Sequence, residues 1–187
     1  MNTRVFLGFG LLSTVLAAVA LAAAPAKFTA AEPVLITSAG QSADVLILKT
    51  LFTRSGMSPK VNALAKPEEL QGIKTLVVAI GGSAKGLGAA GIDGPKEHAR
   101  LAALLAKAKA AGIPVFGLHI GGQAKRGDLS DEFFTQVAGA AAYLVVVKEG
   151  DADGFMTTTA AKAKVNIQFV DKLAAVGGAI KEIFGKN

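Results

Sequence analysis

Pro33-Val34-Leu35-Ile36-Thr37-Ser38-Ala39-Gly40-Gln41-Ser42-Ala43-Asp44 is the stretch that decides the fold. An apolar run rich in β-branched residues breaks at Ser38-Ala39-Gly40-Gln41, and helical spacing begins at Ser42. A buried strand therefore passes through a short polar loop into a helix N-terminus. There the first amides lack intrahelical partners and the helix dipole is positive, which suits a carboxylate or phosphate.

The pattern repeats outward from this unit. Thr75 to Ile80, Ile113 to Ile120, Tyr143 to Val147 and Asn166 to Val170 read as further strands, with a shorter one over Lys60 to Ala65. Between them lie apolar positions at helical spacing: Val45, Leu48, Leu51 and Phe52; Leu101, Leu104, Leu105 and Ala108; Phe133, Phe134, Val137 and Ala138. A short helix is expected over Phe155 to Ala163 and a final helix over Lys172 to Phe184, and close packing against the sheet is the expected reason for Gly177-Gly178 in the latter. Ser130 reads as a helix N-cap. Strand-helix alternation with continuously apolar strands predicts a three-layer α/β/α sandwich with a mainly parallel sheet of five or six strands, Rossmann-like or flavodoxin-like. Right-handed crossovers bring every strand's C-terminal end to one edge, where such folds bind ligands.

The first 26 residues read as a signal peptide, with a short basic start at Arg4, an apolar segment from Val5 to Ala24 and small-residue cleavage sites between 24 and 31. Retention as an anchor is the alternative. The chain has no cysteine, which excludes a disulfide framework and an N-terminal lipid anchor through Cys. Export to the periplasm or medium is therefore expected, with a single α/β domain over residues 32–187. The formal net charge is +6, but the lysines are dispersed along helix faces without an aromatic platform, so nucleic acid is not an expected partner.

On the predicted edge, Gly81-Gly82-Ser83 and Gly121-Gly122-Gln123 follow strands and let a ligand approach bare amides. The loop from Gly81 to Gly88 is expected to continue unstructured to Asp93. Neither dinucleotide nor P-loop spacing is present, and no cofactor is indicated. Lys85, Arg126 and Lys148 suggest an anion-attracting rim, with Arg126 able to clamp a carboxylate. The expected ligand-binding residues are Ser38, Gln41, Ser42, Gly82, Ser83, Gly122, Gln123 and Arg126. The expected partner is a small anionic molecule, passed on to a membrane transporter or sensor. Two distant histidines and the Asp151-Ala152-Asp153-Gly154 loop give no metal set. His119 reads as a hydrogen-bonded core histidine and His98 as an exposed one.

Gly40-Gln41-Ser42 resembles the first block of SGNH-type esterases, in particular acetyl esterases acting on sugars. That resemblance implies Ser42 as nucleophile. Those enzymes take their base from a late Asp-x-x-His block, whereas Asp171-Lys172-Leu173-Ala174 has no histidine, so His119 would have to serve. Over nearly the whole chain after the signal, Leu35 to Asp44, Gly81 to Gly88 and His119 to Gly127 resemble an uncharacterised family of exported bacterial α/β proteins, a domain of unknown function. It implies the signal-plus-domain layout and a Rossmann-like fold, and no activity. A binding protein, a serine esterase and a non-catalytic interaction protein thus remain three distinct expectations.

Overall fold

Six parallel strands pair in the order β2-β1-β3-β4-β5-β6 in the computed structural model, which describes residues 28–186. The strands are β1 (Val34–Ala39), β2 (Lys60–Val61), β3 (Thr75–Ile80), β4 (Val115–His119), β5 (Tyr143–Val147) and β6 (Asn166–Val170). The helices are α1 (Asp44–Arg54), α2 (Ala84–Ala89), α3 (Gly94–Ala110), α4 (Asp128–Ala138), α5 (Phe155–Ala163) and α6 (Leu173–Ile183). The expected three-layer sandwich is present, with the upper strand count.

Side-chain alternation divides the core in two. Leu35 and Ala39 of β1 and Leu76, Val78 and Ile80 of β3 join the apolar faces of α3, α4 and α5. Val34, Ile36, Val77 and Ala79 point the other way, onto α1 and α6. Because helices cover both faces, β1, β3 and β4 are buried along their whole length. At the edge, β6 is only partly covered: Val170 is buried while Phe169 is exposed.

Three local expectations change. The second strand is only Lys60–Val61, because Asn62 turns the chain away: its Oδ1 accepts the Leu64 amide and its Nδ2 donates to Glu69. The glycine-rich run after β3 is helical from Ala84, since Ser83 Oγ accepts the Gly86 amide as an N-cap and Leu87 is buried. A Cβ on Gly177 or Gly178 would meet nothing within 4 Å, so close packing does not explain these glycines.

The strand order reverses between β1 and β3, whose chains leave in opposite directions. In an open parallel sheet this is the position of a crevice. Here the two loops meet and close it.

Candidate functional site

Gly40 (φ 97°) and Gln41 (φ 58°) turn the chain sharply after β1. A Cβ on Gly40 would sit 2.6 Å from the Gly81 carbonyl oxygen and 2.7 Å from Phe133, so only glycine fits. Gln41 and Gly82 then form an isolated antiparallel bridge, and the Ser83 amide donates to the Gly40 carbonyl at 2.8 Å. Gln41 turns its amide inward, donating to Ala63 O at 3.0 Å and Glu97 Oε1 at 2.9 Å.

Beneath this turn lies a buried ion pair. Glu97 is fully buried, and Arg100 Nε donates to its Oε2 at 2.7 Å. The other Arg100 nitrogens reach the Ser38 and Ala65 carbonyls at 2.6 and 2.8 Å. Burial pushes the Glu97 carboxyl upward, but the hydrogen bonds and charge of Arg100, helped by Gln41 and Gly40, outweigh it and hold the group below the usual value.

The other predicted residues come to the same edge already engaged. Ser42 is buried, and its Oγ accepts the Asp44 amide at 3.1 Å. The Gly82 amide donates to Ser130 Oγ at 2.9 Å, so Ser130 ties two loops together, while α4 begins earlier, at Asp128. Ser83 caps α2, and Gln123 is exposed at the start of a short 3-10 turn. Ser38 is fully buried.

Arg126 is enclosed rather than offered to solvent. Its guanidinium donates to both Asp131 oxygens at 2.6 and 2.9 Å, to Asp153 at 3.0 and 3.1 Å and to the Gly150 carbonyl, and lies 5.0 Å from the centre of the Phe155 ring. These partners raise its pKa further and hold Asp153 at about 2.

His119 is a buried, hydrogen-bonded histidine. Nδ1 faces the Ile80 carbonyl at 3.1 Å and Nε2 the Gly122 carbonyl at 3.2 Å. Burial lowers its pKa against the pull of those carbonyls and of Asp44, so the ring is neutral at pH 7. With both nitrogens turned to carbonyls, neither is aligned on Ser42 as a general base. His98 is half-buried, stacked on Phe133 at 4.2 Å and bonded to Gln136.

A second feature opens beside the closed crevice. Between the length of α1 and the first turn of α6 runs a groove of about 790 Å³, walled by Leu46, Ile47, Leu51, Leu173 and Ala174. Arg54 and Lys172 also line it. Among the described residues neither cation has an ion-pair partner. No side chain caps α6, whose first residues Leu173 and Ala174 line the groove beside Lys172. Sequence spacing missed this surface, although a signal was there: Val45, Leu46, Ile47 and Leu48 are consecutive and cannot share one helix face. Leu46 is 61% exposed.

A family model described as a domain of unknown function, DUF6305, matches residues 31–184. The chain belongs to that family. No curated protein matches this DUF6305 chain. The solved structure of a mutant of the esterase AlinE4 aligns over 85% of this chain and 84% of its own, at 12% identity and a TM-score of 0.31. At that level the likeness carries no argument about chemistry.

Proposed function

We propose that the protein is a non-catalytic binding module for a small anion with an apolar body, held in the groove between α1 and α6. The groove carries this proposal: apolar walls of ligand size end at a cation and an uncapped helix N-terminus. Lys172 and the first amides of α6 would take the anionic head, and Leu46, Ile47, Leu51 and Leu173 the body. The positive charge comes from Lys172 and Arg54, since Arg126 is already saturated by its own acids. Export, drawn from the sequence of residues 1–26, would put the module outside the cytoplasm, delivering its ligand to a membrane transporter or sensor.

Three probes separate the contributions: octanoate, octanol of the same chain length, and acetate with the charge alone. Octanoate is expected to raise the thermal midpoint saturably, since a ligand at a hundred times its dissociation constant adds about 2.7 kcal/mol. Octanol should act more weakly and acetate not at all. Leu46→Asp and Lys172→Glu should each reduce octanoate binding. Equal shifts from acetate and octanoate, or undiminished binding by Leu46→Asp, would overturn the proposal.

A further inference from the structure

α1 starts with a carboxylate in an unusual position. Acidic residues in a first helical turn ordinarily face solvent and gain a little from the dipole. Asp44 instead is 3% exposed, and its Oδ2 accepts no hydrogen bond from the described residues. A buried carboxylate oxygen without a donor or counter-charge is strongly unfavourable, and in native proteins such an atom marks a bound water or ion.

The only other buried side-chain oxygen without a partner among the described residues belongs to the same β1–α1 connection. It is Ser38 Oγ. Ser38 alternates with Val34 and Ile36, so its side chain lies on the sheet face that α1 covers. Ser42 Oγ supplies a third oxygen: it accepts the Asp44 amide and keeps a second lone pair.

Gly81 borders two of these oxygens. A Cβ on Gly81 would lie 3.1 Å from Ser42 Oγ and 3.6 Å from Asp44 Oδ2, so both oxygens border one point at the end of β3. Next to Gly121, the Lys125 stem fills the space: a Cβ there would overlap Lys125 Cγ and lie 3.4 Å from Asp44 Oδ2. Gly81 has no positive φ, so turn geometry does not require glycine there.

We propose that Asp44 Oδ2, with the Ser38 and Ser42 hydroxyls, holds a monovalent metal cation, sodium or potassium, beneath the start of α1. The donors are all oxygens, which selects a hard ion. One carboxylate neutralises one charge; a divalent ion would leave a net positive charge buried against the positive end of α1. His119 does not compete, because both its nitrogens face carbonyls. The site is separate from the α1–α6 groove and stands whether or not the groove binds an anion.

Thermal unfolding of the full protein in choline, sodium, potassium, magnesium and calcium chlorides at matched ionic strength tests this. The midpoint should rise saturably with sodium or potassium relative to choline. Asp44→Asn should weaken that dependence at least tenfold. Should Asp44→Asn fail to fold, thallium soaked into wild-type crystals decides by its anomalous peak: a peak at Asp44 supports the site, and its absence overturns it. Identical midpoints in choline and alkali chlorides overturn the proposal, as does unchanged ion dependence in Asp44→Asn. A response confined to magnesium and calcium overturns the monovalent assignment.

Discussion

Glu97 Oε1 accepts the backbone amide of Gly40 at 3.1 Å, joining α3 to the turn that follows β1 across 57 positions of sequence. The same oxygen accepts Gln41 Nε2 and Arg100 Nη2, and Arg100 Nε donates to the other carboxylate oxygen. The sharp turn at Gly40 and Gln41 is therefore supported from beneath by a buried charge. The closed β1–β3 crevice follows, because Gln41 can pair with Gly82 only while its positive φ is maintained.

Removing that charge should be severe. Glu97→Gln leaves the nearly buried Arg100 guanidinium without its counter-ion, and losing one partner of a buried pair costs about 3–5 kcal/mol. The pH dependence has a definite sign. Glu97 titrates below its ordinary 4.5 in the folded chain, so its contribution is complete above that value and drains away as pH falls through the lower folded pKa. Urea midpoints at pH 7 and pH 3 check both points: the gap between wild type and variant should narrow at pH 3, and a constant gap would contradict the assignment.

Arg126 is expected to stabilise the protein rather than bind an anion. Arg126→Gln removes hydrogen bonds to charged groups, each class worth about 1.5–3 kcal/mol when well formed, and should lower the thermal midpoint without changing octanoate affinity. Asp153, held at about 2 by the guanidinium and the Phe155 amide, contributes stability above the unfolded carboxylate value that is lost as pH falls toward 2. An NMR titration should find the Asp153 carboxyl returned toward the usual range in the variant. An unmoved titration would detach it from Arg126.

The sheet, its direction and the gathering of loops at one edge were legible because each depends on local patterns: continuous apolar strands, helical spacing and glycine at the turns. Occupancy of the edge was not legible. Arg126 reads as a free cation in a loop until Asp131 and Asp153 are brought to it from two other segments. Likewise, Glu97 and Arg100 look like an ordinary surface pair at helical spacing, and only the long-range packing of α3 under the β1 turn buries them. Asp44 cannot be told from an ordinary first-turn acid in the sequence, since periodicity says nothing about whether a carboxylate has a donor.

Ser42 should be dispensable for ester hydrolysis. Its Oγ accepts the Asp44 amide, and no histidine nitrogen is aligned on it. Ser42→Ala is expected to lose about 1 kcal/mol of stability, the usual net magnitude of one hydrogen bond. Hydrolysis of p-nitrophenyl acetate should stay at the uncatalysed rate in both proteins. A turnover in wild type that disappears with Ser42→Ala would reinstate the nucleophile.

Two glycines of α2, two positions apart, should respond oppositely to alanine. Both lie in Ala84–Ala89 without a positive φ, so helix propensity alone favours each substitution by about 0.5–1 kcal/mol. At Gly88 a Cβ meets nothing within 4 Å, and Gly88→Ala should be stabilising by that amount. At Gly86 the Cβ would overlap the Gln41 carbonyl oxygen, a backbone atom pinned by the Gln41–Gly82 bridge and the Glu97 contact. That atom cannot swing aside as a long side chain would, so steric repulsion outweighs propensity and Gly86→Ala should destabilise. Denaturant midpoints of the two variants decide the matter, and a stabilised Gly86→Ala would mean that the turn after β1 is free to move away from α2.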